Sequence, residues 1–157
     1  MTLPCDKCNG LCCRYFCFQI DTPDDYDEFE DIRWYLYHEG VRVHVDEDGD
    51  WYIQMDNVCK NLGEDNLCTI YDDRPLICRS YGESCEQTGQ DYGYLHEFAT
   101  AEQLDAYAIK TLGQQEYNEA MIQQRAKLTG VSKREMKQKL MAMGRIAPKG
   151  KRIRKKD

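Results

Sequence analysis

Nine cysteines in a chain of 157 residues, five of them inside the stretch CDKCNGLCCRYFC from Cys5 to Cys17, set the chemical question. Thiolates are ligands for zinc, iron and iron–sulfur centres. Cys5-x-x-Cys8 has the spacing of a metal clip, since a tight turn over two residues brings both sulfurs to one ion with bonds of roughly 2.3 Å. A pair fills half of a tetrahedral site. The remaining ligands must come from Cys12, Cys13, Cys17, Cys59, Cys68, Cys78 and Cys85. Cys12 and Cys13 are neighbours, and adjacent residues of an extended chain project to opposite faces. They suit two neighbouring ions, or different irons of one cluster, better than one mononuclear site. Nine thiols also exceed the four ligands of a single structural zinc.

A disulfide framework fits less well. The cysteine count is odd, and MTLP leads into Cys5 with neither a basic start nor an apolar stretch. That start predicts a cytoplasmic address, where thiols stay reduced and metal binding is the better use of them. No apolar run approaches the roughly 18 residues of a membrane span, and mean hydropathy is -0.76, so no membrane association is expected. From Lys133 onward the chain carries eleven basic and two acidic residues; the remainder carries ten basic and 26 acidic. The basic end invites nucleic acid through phosphate neutralisation. The acidic body opposes it, and an unidentified protein is the partner expected.

Other chemistry is weaker. His38, His44 and His96 are each expected in surface or packing roles rather than as ligands. Asp46, Asp48 and Asp50 resemble a calcium loop, but Gly49 stands at the wrong position for one and Asp48-Gly49 reads as a hairpin turn. There is no nucleophile–base pairing and no phosphate-cradling glycine loop, so whether the chain is an enzyme is left open and any catalysis would reside in the metal. Arg14, Arg74 and Arg79 flank cysteine segments and are candidates to offset thiolate charge, or to pair with Asp72, Asp73 or Glu83.

These cysteines need elements to position them. Residues 14–20 alternate as a strand, with Phe16, Phe18 and Ile20 on one face and Tyr15 and Cys17 on the other. A helix follows, with Thr22 as N-cap, Pro23 in its first turn, six acids from Asp24 to Asp31 and Gly40 at its close. Its buried side is Tyr26, Phe29, Ile32, Arg33 and Leu36. Val41–Val45 and Trp51–Met55 form a hairpin. Trp34, Tyr35, Tyr37, Trp51 and Tyr52 are expected to cover the core. Residues 58–86 are loop-rich, with a short helix starting near Pro75 and carrying Cys78. Capping boxes at Thr100-x-x-Gln103 and Ser132-x-x-Glu135 open helices at about 101–112 and 133–143, with a third at about 114–129 between Gly113 and Gly130.

The string Cys5-x2-Cys8-x3-Cys12-Cys13, followed by Cys59 and by CTIYDDRPLICRSY from Cys68, resembles the cysteine-cluster family known as YkgJ or CxxCxxCC, described as chelating zinc or iron. The resemblance covers residues 5 to 86. It implies ligands at Cys5, Cys8, Cys12, Cys13, Cys59, Cys68 and Cys78, with Cys85 an eighth, and leaves Cys17 outside the pattern. Tyr81 precedes Gly82 where the family often continues to Tyr-Pro, which bears on the local turn. The expectation is an α+β protein. A small, loop-rich, metal-stapled cysteine-cluster domain (1–98), with a β-hairpin and one long helix, precedes a helical appendage (99–147) and a basic tail (148–157). Its thiolates would hold one or two centres of zinc or iron, an iron–sulfur cluster among the options, in the service of a partner. The alternative is an iron–sulfur accessory enzyme or redox protein.

Overall fold

The computed structural model describes residues 9–80 and 93–147. Cys5, Cys8, Cys85 and the basic tail therefore lie outside the described residues. The architecture is α+β, with a four-stranded antiparallel sheet and five α-helices among the described residues. The strands are β1 (Tyr15–Ile20), β2 (Val41–Val45), β3 (Trp51–Asp56) and β4 (His96–Phe98), in the order β1-β3-β2-β4. The helices are α1 (Tyr26–Tyr35), α2 (Leu76–Ser80), α3 (Ala101–Leu112), α4 (Gln114–Thr129) and α5 (Lys133–Ala142).

The hairpin forms where the Asp-Gly signal places it. Asp46 Oδ1 accepts from the amides of Asp48 and Asp50, and Gly49 adopts φ +88°, a conformation open to glycine at little cost. Register then sorts the side chains. Ile53 lies opposite both Phe18 and Val43, and Trp51 opposite Ile20 and Val45, so these share one face. The other face is polar. Cys17 pairs with Gln54, and Arg42 bonds Asp56 at 3.1 Å. Val43 and Ile53 are fully enclosed, each worth about 1.5–3 kcal/mol of burial.

The expected buried side of α1 is the observed one: Tyr26, Phe29, Ile32, Arg33 and Leu36 are all buried. Its start differs. Asp25, not Thr22, is the N-cap, accepting from Glu28 N at 2.9 Å, while the Glu28 carboxylate accepts from Asp24 N at 2.8 Å. This reciprocal acidic box satisfies amides that a start at Pro23 would have left to other partners. The helix also closes earlier, at Leu36, and Gly40 serves the next turn, its carbonyl accepting from Asp56 N. The aromatic expectation holds in part. Trp51 is buried and Tyr35 packs on the core, whereas Trp34 and Tyr37 are 59% and 63% exposed on the outer side of α1.

The C-terminal helices match their expected spans within a residue. Thr100 and Gln103 form the full capping box, and Ser132 accepts from Glu135 N. Their apolar faces do not form a separate core. Leu104, Tyr117, Met121, Met136 and Leu140 belong to one cluster with Phe29, Val43, Trp51 and Ile53. Phe98 and Ala101 are both buried. Asp105 fastens the arrangement, accepting from the Tyr117 hydroxyl at 2.9 Å while pairing with Arg33 at 3.4 Å and Arg145 at 3.2 Å. Among the described residues no helix is long and apolar enough to cross a membrane.

Candidate metal centre

The sheet delivers two cysteine segments to one place. β1 and β3 are antiparallel neighbours with Tyr15 opposite Asp56, so the residues before β1 and those after β3 leave the same end. A 3₁₀ turn at Leu11–Cys13 precedes β1, and Cys59 follows β3 by a short loop. Cys59 N donates to Cys13 O at 2.6 Å. Cys12, Cys13 and Cys59 line one cavity of about 320 Å³ with Tyr15, Phe16, Val58 and Lys60 among its other walls.

Residues 59–69 fold back on themselves and return Cys68 to the same region. Leu62 bridges Cys68, Thr69 N donates to Asn61 O at 2.9 Å, and Gly63 N donates to Leu67 O at 2.8 Å. Two ties hold this loop to the N-terminal one. Arg14 donates from Nε to Asn9 O at 3.2 Å and from its terminal nitrogen to Asn66 Oδ1 at 2.6 Å. Gly10, at φ +64°, approaches Leu62 so closely that an added Cβ would lie 2.7 Å from Leu62 Cδ1.

The electrostatics at Cys13 register this crowding. Burial pushes its thiol up to about 12, and the Cys12, Cys59 and Cys68 sulfurs push in the same direction. Mutually repelling thiolates in a partly desolvated corner are what a bound cation relieves. Asn61 N donates to Cys59 Sγ at 3.5 Å. The donor chemistry therefore fits a soft or borderline cation. Nevertheless, among the described residues no three Cys, His, Asp or Glu side chains form a group able to hold an ion by themselves.

Two cysteines stand apart. Cys17 is on the polar face of β1, its sulfur 3.9 Å from Gln54 Oε1. Cys78 is exposed on α2, in a segment whose arginine and serine hydrogen bonds stay local. Arg74 is extended before Pro75, and Cys78 N donates to Pro75 O at 3.0 Å, the helix start that Arg-Pro predicts. Cys5, Cys8 and Cys85 lie outside the described residues.

The arginines do something sequence reasoning missed. Arg74 donates to Tyr71 O and lies over the Tyr71 ring at 3.6 Å, and Arg79 donates to the carbonyls of Arg74 and Asp72. With Arg14, they tie loops through backbone carbonyls and an asparagine. Asn66, the one non-glycine residue at positive φ among those described, is the other contributor missed. Its Asp65-Asn66 context is the available signal, since Asn tolerates that conformation. The histidines pack: His44 stacks on Tyr52, and His96 lies against Phe98 and Tyr107.

Comparison with known proteins bears on this corner. The CxxCxxCC family model, described as "Putative zinc- or iron-chelating domain", matches residues 4–109. No curated protein and no solved structure matches the chain.

Proposed function

This chain belongs to the CxxCxxCC family, and on that premise we propose that Cys5, Cys8, Cys12, Cys13, Cys59, Cys68 and Cys78, with Cys85 as an eighth, chelate zinc or iron in one or two centres and present them to a protein partner. The observation that carries the reading is the Cys59 N to Cys13 O bond of 2.6 Å, which joins two cysteine loops far apart in sequence. The protein's part is to bring the sulfurs together and give up their protons. Cys13, pushed up to about 12, keeps its proton until a cation displaces it, so binding releases protons and weakens as pH falls. A bound zinc would supply a structural clamp; a bound iron centre would supply electron transfer.

The partner reading is supported by apolar side chains in solvent beside Cys78, with Leu76 at 84% and Ile77 at 66% exposure. The iron–sulfur reading, as an accessory enzyme or redox protein, is supported by a cysteine count that exceeds what one zinc site takes.

Elemental analysis joined to a visible spectrum, on protein purified without oxygen, tests both. Colourless protein with stoichiometric zinc supports the structural role. Brown protein that bleaches with dithionite supports the cluster. Protein that takes up neither zinc nor iron after reduction overturns the proposal.

A further inference from the structure

We propose that Cys13 and Cys59 close a reversible disulfide when the centre is empty, so that oxidation and metal compete for the same two sulfurs. The bridge concerns the site of the proposed function, and the competition rests on that reading; the pairing itself rests on geometry alone.

Cys59 N lies 2.6 Å from Cys13 O. The covalent reach from each Cα to its amide nitrogen or carbonyl oxygen, added to that bond, keeps the two Cα atoms within roughly 6.5 Å, below the upper limit of roughly 6.8 Å that a disulfide accepts. Both residues line the same cavity. Cys59 is exposed and Cys13 is half-buried, so a small disulfide reaches one sulfur directly and the second sulfur from within the fold.

Among the described residues, a Cys12–Cys13 bridge and bridges to Cys17 or Cys78 are worse placed. A Cys12–Cys13 bridge would close a strained ring across one peptide bond, whose planarity resists it. It would also disturb the 3₁₀ turn held by Cys13 N to Gly10 O and Arg14 N to Leu11 O. Cys17 is engaged beside Gln54 on β1. Cys78 sits on α2, in a locally bonded segment.

The oxidant class is a low-molecular-weight disulfide such as oxidised glutathione. Cys59 Sγ attacks one of its sulfurs, forming a protein–small-thiol bond and expelling one thiolate. Cys13 Sγ then attacks the Cys59 sulfur, its proton passing to solvent or to the departing group, and expels the second thiolate. Two protein thiols lose two electrons and two protons; the small disulfide gains them and becomes two thiols. Metal bound to these thiolates blocks the first attack, and the closed bridge removes two donors.

The test uses the full chain, reduced and metal-stripped, or reduced and zinc-loaded. Each form is incubated with oxidised glutathione, quenched by alkylation, digested and mapped by mass spectrometry. The stripped chain should yield the Cys13–Cys59 cross-linked peptide as the main internal bridge, reversed by dithiothreitol and formed equally by Cys17→Ser. The zinc-loaded chain should form it at least about tenfold more slowly, because metal-held thiolates are withdrawn from exchange, and zinc release read with a chromogenic chelator should track it. A main bridge between any other cysteines, or mixed disulfides alone, overturns the pairing. Equal rates with and without zinc overturn the competition. A reduced chain that takes up no metal yet gives the Cys13–Cys59 peptide sinks the chelation reading and leaves the pairing standing.

Discussion

Gly10 packs against Leu62, with room for hydrogen but not for a methyl group: a Cβ at Gly10 would sit 2.7 Å from Leu62 Cδ1. The Leu62 methyl can swing aside, but the Gly10 φ of +64° cannot change without moving the turn that carries Cys12 and Cys13. Gly10→Ala should therefore cost about 1–3 kcal/mol. It should also weaken metal binding in chelator competition. Unchanged denaturation and unchanged metal affinity would together show that the loop contact is dispensable.

Cysteine substitutions should divide sharply. Cys13→Ser and Cys59→Ser should lower the metal content of purified protein, whereas Cys17→Ser, whose sulfur faces Gln54, should leave it unchanged. Elemental analysis of the three variants side by side decides this. Loss of metal in Cys17→Ser alone would reverse the assignment.

Asp105 anchors three groups at once: the Tyr117 hydroxyl, buried Arg33 and the half-exposed Arg145. Asp105→Ala leaves the Arg33 charge without this partner inside the helical layer and should cost about 3–5 kcal/mol in urea denaturation. Arg145→Ala removes a more exposed partner and should cost about 1 kcal/mol or less. Similar losses for the two variants would mean that Arg33 is held adequately by Glu30.

Stability should fall on the alkaline side. Burial, then the Glu30 charge, pushes the Tyr26 hydroxyl up to about 12, and burial with the Asp105 charge pushes Tyr117 higher still. In the unfolded chain both ionise near 10.0, the ordinary tyrosine value. Above it the unfolded state binds fewer protons than the native one, so the stabilisation present below that pH is lost as pH rises toward 12. Denaturant midpoints measured from neutral to strongly alkaline pH should show the decline. Tyr26→Phe with Tyr117→Phe should flatten it, and an unaltered slope would assign the effect elsewhere.

Thr100 accepts from Gln103 N at 3.4 Å while Gln103 Oε1 accepts from Thr100 N and Ala99 N. Thr100→Ala should cost about 1 kcal/mol. A shift in the denaturation midpoint with an unchanged slope is the expected record.

What was readable in the residues differs by element. Val41–Val45 and Trp51 onward announced a hairpin because alternation and Asp48-Gly49 agreed, and Thr100 and Ser132 placed two helix starts because capping is local chemistry. The start of α1 misled, since Asp25 and Glu28 outcompeted Thr22 and no pattern ranks several acids as caps. Trp34 and Tyr37 also misled. Aromatic character favours burial, but which residues face outward depends on what covers α1. At the cysteine corner the spacing Cys5-x2-Cys8-x3-Cys12-Cys13 singled out candidate donors. It could not say that Cys13 would meet Cys59, because that meeting follows from the register of β1 against β3. Nor could it assign Arg14 to Asn66, a bond across two loops that exists only once both are folded.

The pairing of β1 with β3 also orders events in time. β1 is made early, while its partner β3 ends at Asp56 and the Cys68 turn comes later still. During synthesis, which runs from the N-terminus at roughly 5–20 residues per second, the Cys12–Cys13 doublet emerges before any strand exists to set it beside Cys59. A nascent chain holds sulfurs without a scaffold, able to take an ion only loosely or in the wrong company. The meeting of Cys13 with Cys59 and Cys68 waits for residues 51–68, so on the proposed chelation correct loading is a late step of assembly rather than its nucleus.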